Sequence, residues 1–146
     1  MKSLVFTIAL LLSASGAIAG AVMVQCQAHV EIANRSLQTI TEKKALLEIT
    51  FDAAEQHVRK FTSYLLPACT DPGVKTEYCR CKVTTDRIEC EGRGTLGDPK
   101  PRQTQGNFTI DRMSGKISGK VKNQLSTGQE DFFFDGQCGK PGQSKF

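Results

Sequence analysis

The sequence predicts a mainly β protein, a small antiparallel meander or sandwich-like sheet stapled by disulfides. Three observations carry that expectation. Beyond residue 20 the chain opens with strict apolar and polar alternation; ten of its 13 Gly lie from Gly92 onward and crowd the second half with turns; and its six Cys form an even set. At 146 residues, 39% hydrophobic and without Trp, the chain is long enough for one modest domain and too short for a multidomain enzyme. With 23% charged residues and a net charge of +4 it does not have the composition of a wholly disordered chain, and it has no internal repeat.

The segment 1–19 is set apart from that domain. Lys2 is followed by an apolar run from Leu4 to Leu12 and by Ala17-Ile18-Ala19 before Gly20, the pattern of a secretory signal peptide cleaved after Ala19. The apolar run is shorter than the roughly 20 residues a bilayer span needs, and no later stretch is longer. Gly20 rather than Cys follows the cleavage site, which argues against a lipoprotein. The expected organisation is a signal peptide over 1–19, one disulfide-stapled β domain over 20–142 and a frayed tail over 143–146, in the periplasm or secreted. Cleavage removes many apolar residues, so the disulfides supplement a lean core.

The strands are justified in order. Val22, Val24, Cys26, Ala28, Val30 and Ile32 share one face of the first, with Gln25, Gln27, His29 and Glu31 on the other. A polar stretch Asn34–Lys44 precedes a second strand through Leu47, Ile49 and Phe51. Residues 52–66 are ambiguous. Ala54, Val58, Phe61 and Leu65 follow helical spacing behind a capping box of Asp52 and Glu55, giving an α+β alternative with a helix near 52–66. The other reading is a hairpin in which Asp52–Gln56 turn and His57–Phe61 return. Further on, Cys79, Cys81 and Val83 share a face, as do Ile88, Cys90 and Gly92. Gly94–Gly106, with Pro99 and Pro101, is expected as an exposed loop. Phe108 and Ile110 lead to a turn at Met113–Lys116, Ile117, Gly119 and Val121 return, and Phe132, Phe134, Gly136 and Cys138 make the last strand. Phe133 falls on the opposite face, where a second layer is expected to cover it.

Six Cys allow fifteen connectivities. If Thr85-Asp86 form a two-residue loop, Thr84 faces Arg87, Val83 faces Ile88, and Cys81 faces Cys90 at a non-hydrogen-bonded position about 4.5 Å apart, within disulfide reach. Cys79 and Cys81, next to each other on one face, should not pair, so Cys69 closes its loop onto Cys79 and Cys26 is left for Cys138. Zinc ligation by Cys69, Cys79, Cys81 and Cys90 lacks the paired Cys-x-x-Cys spacing, and no cofactor or metal is expected.

Ile88-Glu89-Cys90, then Asn107 to Lys116 (Asn-Phe-Thr-Ile-Asp-Arg-Met-Ser-Gly-Lys), ending in Phe134-Asp135-Gly136-Gln137-Cys138, resembles small exported bacterial proteins without an assigned function. These share a strand ending in Ile-Asp-Arg, a Ser/Thr-Gly-Lys turn and a closing Gly-x-Cys. The resemblance spans Ile49 to Cys138 loosely, implies a mainly β fold with no active site to carry over, and favours a hairpin after Ile49-Thr50-Phe51-Asp52.

Sharper functional readings are sparse. His29 and His57 with Lys43, Lys44 or Lys60 hold the residue types of a small basic ribonuclease-like hydrolase, but nothing in the sequence brings them together. No Gly-x-Ser-x-Gly elbow, His-Glu-x-x-His or phosphate-binding Gly-Lys-Ser/Thr loop occurs. Arg112, Lys116, Lys120 and Lys122 form a basic stripe that suits an anion, or else a solvated hairpin face. Asn34-Arg35-Ser36 and Asn107-Phe108-Thr109 match the glycosylation sequon, which has no bearing in a bacterial host. The expected function is a non-catalytic envelope or periplasmic binding module whose partner is a protein or an anionic envelope component rather than nucleic acid. A secreted inhibitor or effector of another protein is the alternative, and the small hydrolase ranks behind it.

Overall fold

The computed structural model describes residues 20–62, 65–97, 102–126 and 128–140. The expected signal peptide and frayed tail lie outside them. Eight strands, β1 (Val22–Asn34), β2 (Thr39–Asp52), β3 (His57–Phe61), β4 (Val74–Val83), β5 (Arg87–Leu96), β6 (Arg102–Asp111), β7 (Lys116–Leu125) and β8 (Gly128–Gly139), form one antiparallel sheet. Its order is β3-β2-β1-β8-β7-β6-β5-β4, so every pair adjacent in sequence is adjacent in the sheet except β3 and β4. The first and last strands are neighbours, and the sheet curls until β3 and β4 face each other in a nearly closed barrel. The protein is mainly β and antiparallel as expected, and of the two forms named, the meander is the one adopted.

Three hairpins share one turn design. Asn34, Asp52 and Asp111 each end a strand and accept backbone N–H groups from two and three residues ahead. The fifth residue then turns left-handed: Gln38 at φ 53°, Gln56 at φ 55° and Gly115 at φ 74°. This explains the ambiguity at Asp52. Its carboxylate caps the Ala54 and Glu55 N–H groups as a helix N-cap would, but Gln56 reverses the chain and β3 returns along β2. The helix near 52–66 is therefore replaced by a hairpin. The single helix among the described residues is one turn, α1 (Pro67–Thr70).

The register of β4 on β5 places Val83 opposite Ile88 and Cys81 opposite Cys90, with the Thr84 N–H donating to the Arg87 carbonyl at 2.9 Å. The disulfides are Cys81–Cys90, with Cα atoms 4.1 Å apart, Cys69–Cys79, which ties α1 to β4, and Cys26–Cys138, which joins β1 to β8. These are the pairs the sequence pointed to, and no described Cys is free.

Two stretches differ from expectation. Thr39–Lys44 belongs to β2, paired with β1 out to Asn34, although it reads as polar linker. Its inward residues Thr41 and Lys43 lie at the open end of the barrel, where the alternation signal fades. Likewise β5 runs to Leu96 and β6 starts at Arg102, so most of the loop expected over 94–106 is strand. Its inward positions Gly94, Thr104 and Gly106 carry no apolar signal, and Leu96 alone is too little to mark a strand.

The interior is filled. Leu47, Ile49, Ile88, Phe108, Ile117 and Val121 are buried from the strands, and Leu65, Leu66 and Ala68 enter from the segment that links β3 to β4. The rings of Phe61 and Phe108 meet edge to face at 5.4 Å. Gly119 makes room for a ring: a Cβ there would stand 2.4 Å from Cζ of Phe134 and 2.5 Å from the Asn107 carbonyl.

Removing the Cys26–Cys138 bond, which spans 112 residues, is expected to cost on the order of 2 kcal/mol more than removing Cys81–Cys90, which spans 9, by the dependence of loop entropy on length. Urea denaturation of the two double Cys→Ser variants checks this; equal losses would contradict it.

A pH dependence also follows. The Glu55 N–H, with the Ala54 N–H and the Arg59 guanidinium at 2.8 Å, holds the Asp52 carboxyl below the usual carboxylate range, and the Ser114 N–H and hydroxyl do the same for Asp111. Their contribution is complete above the ordinary Asp pKa of about 3.9 and is lost as pH falls through the depressed folded values. Asn34 turns its hairpin without a charge. Asp52→Asn is thus expected to fold at neutral pH and to lose less stability than wild type between about pH 4 and pH 2 in thermal melts.

Candidate functional site

The break between β3 and β4 interrupts an otherwise continuous ladder. Each of these strands has a hydrogen-bonded neighbour on one side only, β2 for β3 and β5 for β4. Between them lies a cleft of about 560 Å³ lined by His57–Phe61, Cys69, Thr70, Cys79 and Cys81. Phe61 closes its floor against the interior, and the Cys69–Cys79 bond fixes α1 at its side.

Charge gathers on the two rims. β3 and β4 carry Arg59, Lys60, Lys75, Arg80 and Lys82 against Glu77 alone among the acids. Arg59 is bound to Asp52 at 2.8 Å, and the Arg80 guanidinium sits over the Tyr78 ring at 5.4 Å. Lys60 and Lys82 are exposed. Behind the β4 rim, Glu91 and Glu89 of β5 stand in register with Arg80 and Lys82.

The other candidate residues are dispersed. Lys116, Lys120 and Lys122 share the outer face of β7, with Asp131 in register beside Lys122 and Asp135 beside Ser118. Asp131 is buried and held by Arg35 at 2.8 Å. Arg112 does not join the lysines. Its guanidinium donates to the Thr84 carbonyl and lies over the Phe51 ring at 5.3 Å, so it braces the β6–β7 turn against the β4–β5 turn. His29 faces Lys44 and His57 faces Asp52, eight residues apart along β2, which is about 26 Å of strand. Each histidine has its own carboxylate, Glu42 at 3.5 Å and Glu55 at 3.3 Å. The hydrolase set is therefore not assembled. Phe133, expected under a second layer, stands on the outer face and is 43% exposed, because the sheet covers its inner side with itself and has nothing outside.

Sequence reasoning missed the seam. Lys60 reads there only as a cation beside the histidines, and alternation does not tell which strands stay unpaired. Among the described residues no group of three His, Cys, Asp or Glu side chains is placed to hold a metal ion, and no helix is long and apolar enough to cross a membrane. No family profile matches the chain, and no curated protein or solved structure was found to be similar to it.

Proposed function

We propose that the protein is an exported, non-catalytic binding module that takes an extended, acidic segment of a partner protein into the seam between β3 and β4. The observation that carries this reading is the unpaired edge on each side of the cleft. Exposed strand edges present a row of N–H and C=O groups in register, the template for strand addition, and the side chains bordering the cleft select the sequence. Packed side chains occupy the barrel interior, so the seam rather than a central chamber is the place for a partner. Among the described residues that line the cleft, Arg59 and Lys60 are cations and there is no carboxylate, which favours an acidic strand. The same charge repels a second copy of this chain from pairing edge to edge. Export is supported by the signal-peptide pattern and by three disulfides, which persist in oxidising compartments.

A blocked peptide of alternating valine and glutamate is expected to slow amide exchange along Val74–Val83, while its valine and lysine counterpart leaves exchange unchanged. The double variant Lys60→Glu, Lys82→Glu is expected to bind the acidic peptide at least tenfold more weakly, about 1.4 kcal/mol. Equal binding of both peptides, or protection confined to strands away from the seam, would sink the reading.

A further inference from the structure

The hydroxyl of Thr104 has no hydrogen-bond partner although the residue is 5% exposed. Buried polar groups are nearly always satisfied, so this one calls for a group that comes from outside the chain. Thr104 is on the inward face of β6 and stands in register with Asn123 of β7, which stands in register with Glu130 of β8. Three polar side chains thus form a row across three strands at one end of the barrel. On the other side of Thr104 the row continues to Gly94 of β5, whose inner side is covered by Val74 of β4. The next row of inward residues is Gly92, Gly106, Val121 and Phe132, which carries no polar side chain. Beside the polar row is a cavity of about 250 Å³, whose lining adds Asp71, Arg102 and Gln103 as polar groups and Val74, Leu96 and Leu125 as apolar ones.

We infer that this mouth binds a single neutral sugar ring, with the Thr104 hydroxyl and the Asn123 and Glu130 side chains as its hydrogen-bonding partners. The chemistry narrows the ligand. Carboxylates at Asp71 and Glu130 accept, Arg102 donates, and a hydroxyl and an amide do both. An anion would face two carboxylates, and a polyamine would face a guanidinium. A polyhydroxylated ring matches a mixed donor and acceptor set and offers a C–H face to the leucines. The volume is below the range of about 300–1,000 Å³ typical of sites for drug-sized ligands, which limits the occupant to one ring. Mouths of β-barrels are a recurrent place for such sites. Val74 opens β4, but Thr104, Asn123 and Glu130 do not line the seam, so this site and the strand-binding reading stand or fall separately.

The test is an NMR titration of the oxidised protein with glucose, galactose and N-acetylglucosamine in turn, with spermidine and sulfate as the charged alternatives. At least one sugar is expected to give saturating amide shifts at Thr104, Asn123 and Glu130 in the millimolar range, and neither charged probe is expected to do so. Thr104→Val keeps the shape of the side chain and removes the hydroxyl, and is expected to weaken binding about tenfold with an unchanged melting temperature. Glu130→Gln serves as a second variant with the same expected direction should the valine disturb the fold. Absence of saturating shifts with every sugar, saturation by spermidine or sulfate alone, or sugar binding unaffected by both variants would overturn the inference.

Discussion

The barrel depends on the pairing of its first strand with its last. β1 and β8 run in register from Gln25 beside Gly139 to Asn34 beside Glu130, and the Cys26–Cys138 bond lies within that ladder. Without it the chain consists of two meanders, β1 to β3 and β4 to β8, with no hydrogen-bonded strand between them. The contact brings together residues 112 apart, so chain entropy opposes it more than any hairpin. The bond relieves that opposition by restricting the unfolded chain. Closure through the termini also decides where the sheet stays open. With β1 joined to β8, the break falls between two strands that follow each other in sequence.

Why β3 and β4 do not close the ring is written in the segment between them. β3 ends at Phe61, and Thr62 finishes the ladder with its N–H on the Glu48 carbonyl and its hydroxyl accepting the Glu48 N–H. The chain then turns inward, burying Leu65 and Leu66, and Pro67 starts the single turn of α1. The facing strand is built to receive it. A Cβ on Gly92 would stand 2.7 Å from Cys69 Sγ and 3.2 Å from Leu66 Cδ2. The inward face of β5 thus lacks side chains where α1 supplies them. The linker fills a hole in the core at the cost of one inter-strand ladder, and Cys69–Cys79 holds it there.

The sequence exposed this arrangement unevenly, for physical reasons. Alternation from Val22 to Ile32 was plain because β1 sits in the middle of the sheet, with one face against a filled interior. The Cys81–Cys90 pair followed from strand register, since the two lie a fixed count from a two-residue turn, and the other pairs followed by elimination. At Asp52 the sequence was ambiguous because an Asx turn and a helix N-cap use the same carboxylate to bind the same N–H groups, and the difference rests on the backbone of Gln56. Thr39–Lys44 and the ends of β5 and β6 were hidden because polar residues or glycine occupy their inward positions. The row of Thr104, Asn123 and Glu130 left no local signal, since its members are about 7 to 20 residues apart in sequence and meet through register alone.

The outer surface bears on where recognition can occur. Leu37 and Met113 are exposed in turns, and of the exposed apolar residues on strands, Ile40, Leu46 and Phe133 are separated by register. Ile40 stands beside Ala33, Leu46 beside Gln27, and Phe133 between Glu31 and Lys120. Single apolar residues among polar neighbours are ordinary on a protein surface and make no contiguous docking patch. The lysines of β7 are similarly interleaved with the aspartates of β8, which shortens the reach of their field in salt. Backbone groups without partners and a buried hydroxyl without one are different in kind, because water or a ligand must answer them for the fold to be at ease. Both occur where the sheet departs from a closed, fully packed barrel, one at the seam beside α1 and the other at the mouth beside Asn123 and Glu130. A linker in place of a ladder, and polar side chains in place of apolar ones at the mouth, therefore create the places where this chain is chemically incomplete.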